Sequence, residues 1–397
     1  MKKTLIAVAA LAASAAFAQT SVTLYGIADA YVGVEKTTRP DATLPGALPL
    51  LPNGPLSATT APYVSNSQSV VNSGGLSDSR IGLRVKEDLG NGYSAFTVFE
   101  SGVNTDTGTG TIDAGETSST RVAVVGFGTP FGKFSLGRQT TPMKDAADKF
   151  TDAQADSSFT AIRAAGNSLT GRPFAPRINN SIRFDLPEDS LVRGAIAVGT
   201  LNAADKTPGT SDRVVSASLG YVVPGKFGIG ISHQVEKNVQ QLLVPSAAPN
   251  PAPGSGSVVP GGSKATVTYV SSGFATPVGK VNFGFGQGKI GGVTGKDKGW
   301  NLGLTIPLDA FTFIAQVSQF KADGQLGNLY NTSNKFAVSP GVALRRGTAK
   351  RTSLGLEGHY ALSKRTTTYV GYNNTKNLGG IDAAKYQLFG IGVRHVF

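Results

Sequence analysis

An all-β fold, a sixteen-stranded antiparallel transmembrane β-barrel, is predicted for this chain by three observations. The first eighteen residues have the pattern of a secretory leader. Beyond them, amphipathic stretches of about ten residues recur between breaks that are alternately short and long. The chain ends on a strand in which Phe389, Ile391 and Val393 alternate with Gly390, Gly392 and Arg394 and which stops on the aromatic Phe397. Such a strand has one apolar face for lipid and one small or polar face for a lumen.

In the leader, Lys2 and Lys3 form a charged region, Leu5 to Phe17 an apolar one, and Ala16-Phe17-Ala18 a small-x-small cleavage site. The apolar run is shorter than the roughly 20 residues of a spanning helix, so residues 1–18 are expected to be a cleaved signal and 19–397 the barrel. No other stretch approaches spanning-helix length, and with 16% charged residues and 51 glycines the chain is not read as a helical membrane protein. The absence of cysteine rules out a disulfide framework. A mean hydropathy of −0.04 is what lipid-facing and lumen-facing residues give when averaged.

The net charge is +12, and +10 once Lys2 and Lys3 are removed with the leader. Its basic residues are dispersed over many strands instead of lying in one stripe, which argues against nucleic acid as a partner and for a field inside a pore that favours anions.

Short turns are expected at Leu89-Gly90-Asn91-Gly92, Gly128-Thr129-Pro130-Phe131-Gly132, Leu186-Pro187-Glu188-Asp189, Val223-Pro224-Gly225-Lys226, Thr276-Pro277-Val278-Gly279, Pro307-Leu308-Asp309 and Leu362-Ser363-Lys364. Each carries residues that reach positive φ, preset φ or bond their own backbone. Between them the alternation is plain, as in Phe227, Ile229 and Ile231 against Gly228, Gly230 and Ser232, or Leu354, Leu356 and Tyr360 against Ser353, Gly355, Glu357 and His359. Residues 37–75 and 239–262 are too rich in Pro, Ser or Gly for a sheet interior and are assigned to long exposed loops. A soluble β-sandwich would share the alternation, but not the one-sided loop lengths.

Alternation also places charges. With Ile81, Leu83 and Val85 toward lipid, Arg80, Arg84 and Lys86 face the lumen; with Ile178, Ile182 and Phe184 outward, Arg177 and Arg183 point inward. Leaving such groups in lipid near the midplane costs about 2–4 kcal/mol each. For Arg121, Val122 and Val124 are consistent with lipid exposure, although Ala123 and Val125 blur the pattern. The histidines, His233, His359 and His395, stand in no nucleophile-base constellation, so no enzyme is expected. No Cys/His cluster suggests a metal, and no cofactor is expected. Gly284-Phe285-Gly286-Gln287-Gly288-Lys289 is read as strand and not as a phosphate loop, because no helix follows it.

Several stretches, in order, resemble the trimeric general porins of Gram-negative outer membranes over essentially the whole mature chain. They are Val22-Thr23-Leu24-Tyr25-Gly26-Ile27-Ala28-Asp29, Ser79-Arg80-Ile81-Gly82-Leu83 with Glu87-Asp88-Leu89-Gly90-Asn91-Gly92, Phe131 to Gln139, Asn179-Asn180-Ser181-Ile182-Arg183-Phe184, Tyr360 to Thr366, and the Arg-His-x-Phe end. The resemblance implies a homotrimer in the outer membrane, passive diffusion of small hydrophilic solutes and anions, and lipid, lipopolysaccharide and the barrel-assembly machinery as partners, with Phe397 as the terminal assembly signal.

It also implies that the third long connection, about Thr140 to Pro176, folds into the lumen and faces a basic ladder on the wall. The ladder positions map onto Arg80, Arg121 and Arg177, with Arg84 and Arg183 as further lumen-facing basic groups. The opposing acidic groups are Asp152 and Asp156 of the loop, with Glu100 neutralising part of the cluster. The loop lacks the Pro-Glu-Phe-Gly tip of some family members. A weakly anion-selective general channel is expected, with a substrate-specific channel as the alternative.

Overall fold

The computed structural model describes residues 20–40, 63–110, 119–151, 153–162, 174–200, 212–237, 243–245, 256–258, 264–292, 295–323, 349–377 and 384–397. The leader lies outside them. The first strands are β1 (Thr20–Pro40), β2 (Tyr63–Ser73), β3 (Arg80–Gly90), β4 (Tyr93–Gly102), β5 (Thr120–Thr129), β6 (Gly132–Thr140) and β7 (Arg177–Asp185). Next come β8 (Val192–Thr200), β9 (Arg213–Val223), β10 (Phe227–Glu236), and the short β11 (Leu243–Pro245) and β12 (Gly256–Val258), which pair only with each other. The rest are β13 (Ala265–Thr276), β14 (Gly279–Ile290), β15 (Asp297–Leu308), β16 (Phe311–Ala322), β17 (Ala349–Ala361), β18 (Thr366–Lys376) and β19 (Lys385–Val396).

Consecutive strands pair antiparallel, and β1 pairs with β19 from Ile27↔Val396 to Thr38↔Lys385, closing a sixteen-staved barrel. The seventeen strands of the sheet make sixteen staves because β2 and β3 are the two halves of one, both lying against β1. Phe397 completes the seam: its backbone exchanges two hydrogen bonds with Gly26, at 2.9 and 3.1 Å. Closure leaves the membrane-spanning sheet without a first or last stave, which is what lets its strands sit in hydrocarbon.

All seven short turns lie where the sequence puts them, with Asn91 and Asp309 at positive φ. Large apolar side chains such as Ile182, Leu219, Ile231 and Ile391 project outward and are exposed, while Ser216, Asn282, Asn301 and Gln316 are buried on the inner face. This inverts the rule for soluble proteins, as a lipid solvent requires.

Three expectations are corrected. Pairing of β1 with β2 runs out to Pro40↔Tyr63, so residues 37–40 and 63–73 of the expected 37–75 loop are strand. Above the lipid both faces meet water, so apolar alternation stops while backbone pairing continues. Second, Val124 is buried, and Val125 and Phe127 are the outward residues of β5. A bulge opposite Glu100 and Ser101 shifts the register, and the extra residue, Arg121, is aimed inward with Val122 and Val124. Third, Ile178 is fully buried against Ala197 and Val214. The register of β7 shifts on both sides near Asn180, whose φ is 47°, so its upper end does not continue the alternation of Ile182 and Phe184.

Candidate pore constriction

The long connection after β6 turns into the lumen. Thr141 caps the five-residue helix α1 (Pro142–Ala146), accepting from the Lys144 amide, and Pro142 presets the first turn. Met143 is buried with Tyr269, Val267 and Phe174, and its amide donates to Ser216 Oγ at 3.1 Å. A π-helical turn (Ala147–Thr151) follows. Residues 153–162 then cross to the wall formed by β16–β19 and β1. Thr160 Oγ1 bonds Gln316 at 3.1 Å, Ser318 Oγ donates to the Ala161 carbonyl at 2.9 Å, and Asn373 donates to the carbonyls of Phe159 and Thr160.

Phe159 is fully buried, edge-on to Tyr31 and Tyr369 with ring centroids 5.4 and 6.2 Å away. Glycine is required at Gly371, where a Cβ would overlap the Phe159 ring. Beside it, Glu357 accepts from Ser157 Oγ and from Gln154 and is 2.7 Å from His359 Nε2. The acid therefore stands between serine and histidine, so the imidazole does not touch the hydroxyl; the group anchors the loop.

The loop tip meets the break in the second stave. Amides of Gly75, Leu76 and Ser77 donate to the buried Asp29 carboxylate at 2.9–3.0 Å. The carbonyls of Gly74 and Gly75 accept from Ser158 Oγ and Ser158 N, both at 2.8 Å.

Around that contact the charged groups converge. Arg121 Nε donates to Glu100 at 2.8 Å and its Nη1 lies 3.2 Å from Asp78. Arg80 reaches Glu100 at 3.9 Å and, on the inserted loop, Asp156 at 3.7 Å. Tyr25 donates to Glu100 at 3.0 Å. Lys144 of α1 is 2.9 Å from Asp156 and also pairs with Asp148. Asp156 thus bridges the loop's own ammonium and the wall's guanidinium.

Arg177, buried at the loop's exit and paired with Thr140 in the ladder, is close enough to feel Asp78, Glu100 and Arg80. Arg183 lies apart, 2.6 Å from both Asp145 and Asp185. Arg84 lies over the Tyr25 ring, 5.2 Å from its centroid, on the same wall nearer the short-turn end. Glu100 sits among the arginines on the basic wall and not on the loop. Asp152 lies outside the described residues.

Sequence reasoning missed Asp78, Lys144 and Tyr25 as members. Asp78 occupies the break, where alternation has no meaning; the signal for Lys144 was its spacing of four from Asp148 behind a Thr-Pro helix start.

Burial opposes ionisation of Asp156, but the Lys144 ammonium, with Arg80 and Arg121, outweighs it and holds the carboxyl well below the usual range. Lys144 is raised in turn: burial disfavours its charge, and Asp148 and Asp156 overcome that. A depressed carboxyl contributes stability above its unfolded value of about 3.9 and loses it as pH falls through the folded value. Asp156 therefore stays ionised throughout the range from about pH 8 to about pH 5, and the Asp156→Asn variant is expected to differ from the parent in zero-current potential by the same amount across it. A difference between the two that changes within that range would show that Lys144 does not hold Asp156 ionised.

The Gram-negative porin family matches residues 4–380. The chain belongs to that family. As a porin it forms a water-filled channel for passive diffusion of small hydrophilic solutes through the outer membrane. It is 28% identical to an outer membrane porin protein of Bordetella pertussis over the full length of both chains. Its identity with outer membrane porin protein 32 of Delftia acidovorans is 32%, over 59% of this chain and 60% of that one. Among solved structures, an anion-selective porin from Comamonas acidovorans superposes with a TM-score of 0.67 at 19% identity, covering 96% of this chain and all of the other. The trimer form of OmpT from Vibrio cholerae gives 0.59 at 14% identity, covering 95% and 99%.

Proposed function

We propose that this porin is a general diffusion channel with a weak preference for anions, that it works as a homotrimer, and that it catalyses no reaction. The observation that carries the reading is the set of guanidiniums on the lumen wall at the point where the loop narrows it. Arg80 and Arg121 share Glu100, and Asp78 and Asp156 complete their pairing, so most of the positive charge is answered locally. Arg84, which rests on an aromatic face, adds a positive charge to the surplus of a basic chain. A surplus spread along a low-dielectric passage lowers the energy of anions relative to cations. Because the lumen is wet, the preference fades as salt shortens the Debye length toward about 3 Å at 1 M. The likeness to a structure titled an anion-selective porin and to one titled a trimer form supports both parts.

The deciding experiment is the zero-current potential of the purified protein in a planar bilayer across a salt gradient at low ionic strength. An anion-signed potential, with closures in three equal steps, is expected. A cation-signed potential would overturn the preference and give control to Asp78, Glu100, Asp148 and Asp156.

A further inference from the structure

Just below the constriction, on the side of the short turns, the lumen wall changes character. From Glu100 the next inward residues of β4 are Val98 and Phe96, both half-buried. Pairing sets Val98 beside Val124 of β5 and Phe96 beside Gly126. A Cβ at Gly126 would overlap the Phe96 ring, so the ring lies across β5 and, with Val98, forms an apolar ledge open to the passage. A wet lumen by itself gives no reason for exposed apolar carbon.

Directly opposite on β3 stand two exposed cations, Arg84 against Val98 and Lys86 against Phe96. Among the described residues neither forms an ion pair with a carboxylate. Arg84 rests on the Tyr25 ring, and Asp88, the next inward residue of β3, accepts from the Gly90 amide at 2.9 Å. Arg183 of β7, by contrast, is already matched by Asp145 and Asp185. Side chains paired across strands stand about 5 Å apart at Cβ, so a flat ring on the ledge puts a carboxylate attached to it within reach of both cations. Apolar surface edged by positive charge fits one kind of solute, an anion with an apolar body.

We propose that this ledge is a subsite for carboxylates that carry an aromatic ring, the ring resting on Phe96 and Val98 and the carboxylate held between Arg84 and Lys86. The inference deepens the anion-preference reading and rests on it. A carboxylate without a ring meets only the cations here and is held no longer than any small anion; one with a ring gains the burial of the ledge as well.

The test records chloride current through single channels of the purified protein while sodium benzoate or sodium acetate is added in steps at neutral pH. Both acids are then ionised, so they differ in the ring and not in charge. Benzoate should interrupt the current at a concentration about tenfold lower than acetate. The combined change Phe96→Ser and Val98→Ser should bring the two acids together, whereas Arg84→Gln with Lys86→Gln should weaken both; the second pair keeps the test decisive if the first assembles poorly. Equal action of benzoate and acetate on the parent, an undiminished benzoate advantage in the serine variant, or undiminished benzoate action in the glutamine variant would each overturn the proposal. The zero-current potential of the same bilayers in potassium chloride reads the anion preference separately. An anion-signed potential with the two acids alike removes the ledge alone, whereas a cation-signed potential removes the preference and the ledge with it.

Discussion

The combined change Arg80→Gln, Arg121→Gln and Arg177→Gln is expected to turn the zero-current potential from anion-signed to cation-signed. In the parent, Arg121 and Arg80 hold Glu100 between them, while Asp78 and Asp156 face the same pair. Removing three positive charges leaves Glu100 and Asp78 unanswered at the narrow level, with Asp156 held by Lys144 alone, so the local field changes sign instead of merely fading. A differential of about 1.4 kcal/mol on a permeating ion is a tenfold change in permeability ratio. Three charges within one Debye length of the passage, about 10 Å at 0.1 M salt, supply at least that. Arg121 and Glu100 are both nearly buried, and stranding one such partner costs about 3–5 kcal/mol. A second variant that also carries Glu100→Gln removes the stranded charge and keeps the measurement meaningful if the first assembles poorly. Unchanged selectivity in both would remove these arginines as determinants. Arg80→Gln alone should shift the potential the same way by less, because Arg121 remains beside Glu100.

The second large effect is expected from Phe159→Ala. The ring is fully enclosed between Tyr31 and Tyr369, and deleting a buried phenyl costs about 3–5 kcal/mol. That loss falls on the attachment of the loop and not on the barrel, whose ladder is untouched. Single-channel recordings should show a larger and noisier conductance as the tip leaves the wall, with thermal unfolding of the barrel little changed. Gly371→Val approaches the same contact from the other side, since its Cβ would occupy the place of the ring. Conductance identical to the parent in both variants would mean that this loop does not set the width.

The barrel was legible in the sequence because a strand between lipid and water must alternate, and Phe227 to Ser232 or Leu354 to Tyr360 do so without interruption. The turns were legible because Asn91 and Asp309 belong to the few residue types that tolerate left-handed backbone. Reading failed where a single extra residue changes phase. The bulge at Arg121 and the irregularity at Asn180 each turn their neighbours over, so Val124 and Ile178 are inside where period-two counting puts them outside. Reading was also blind to partners far apart in the chain. Ser157 and Glu357 meet across 200 positions, and no local pattern marks Asp78 as the second carboxylate of Arg121. Arg80 was placed on the lumen side because a guanidinium has no tolerable place in hydrocarbon, whereas Arg121, Glu100 and Asp156 were named only through the resemblance, and Asp78, which could equally stand in water, was not named at all.

The seat of Phe159 has a consequence for assembly order. Its walls come from β1, near the start of the described chain, and from β18 and β19 at the end. Tyr369 of β18 is joined through its hydroxyl to Asp29 of β1, which in turn orders the segment that receives Ser158. None of this exists until the first and last staves have met. The tip of the loop therefore gains this seat only once the barrel has closed, whereas its base, held by Ser216, Val267 and Tyr269, depends on the middle strands alone.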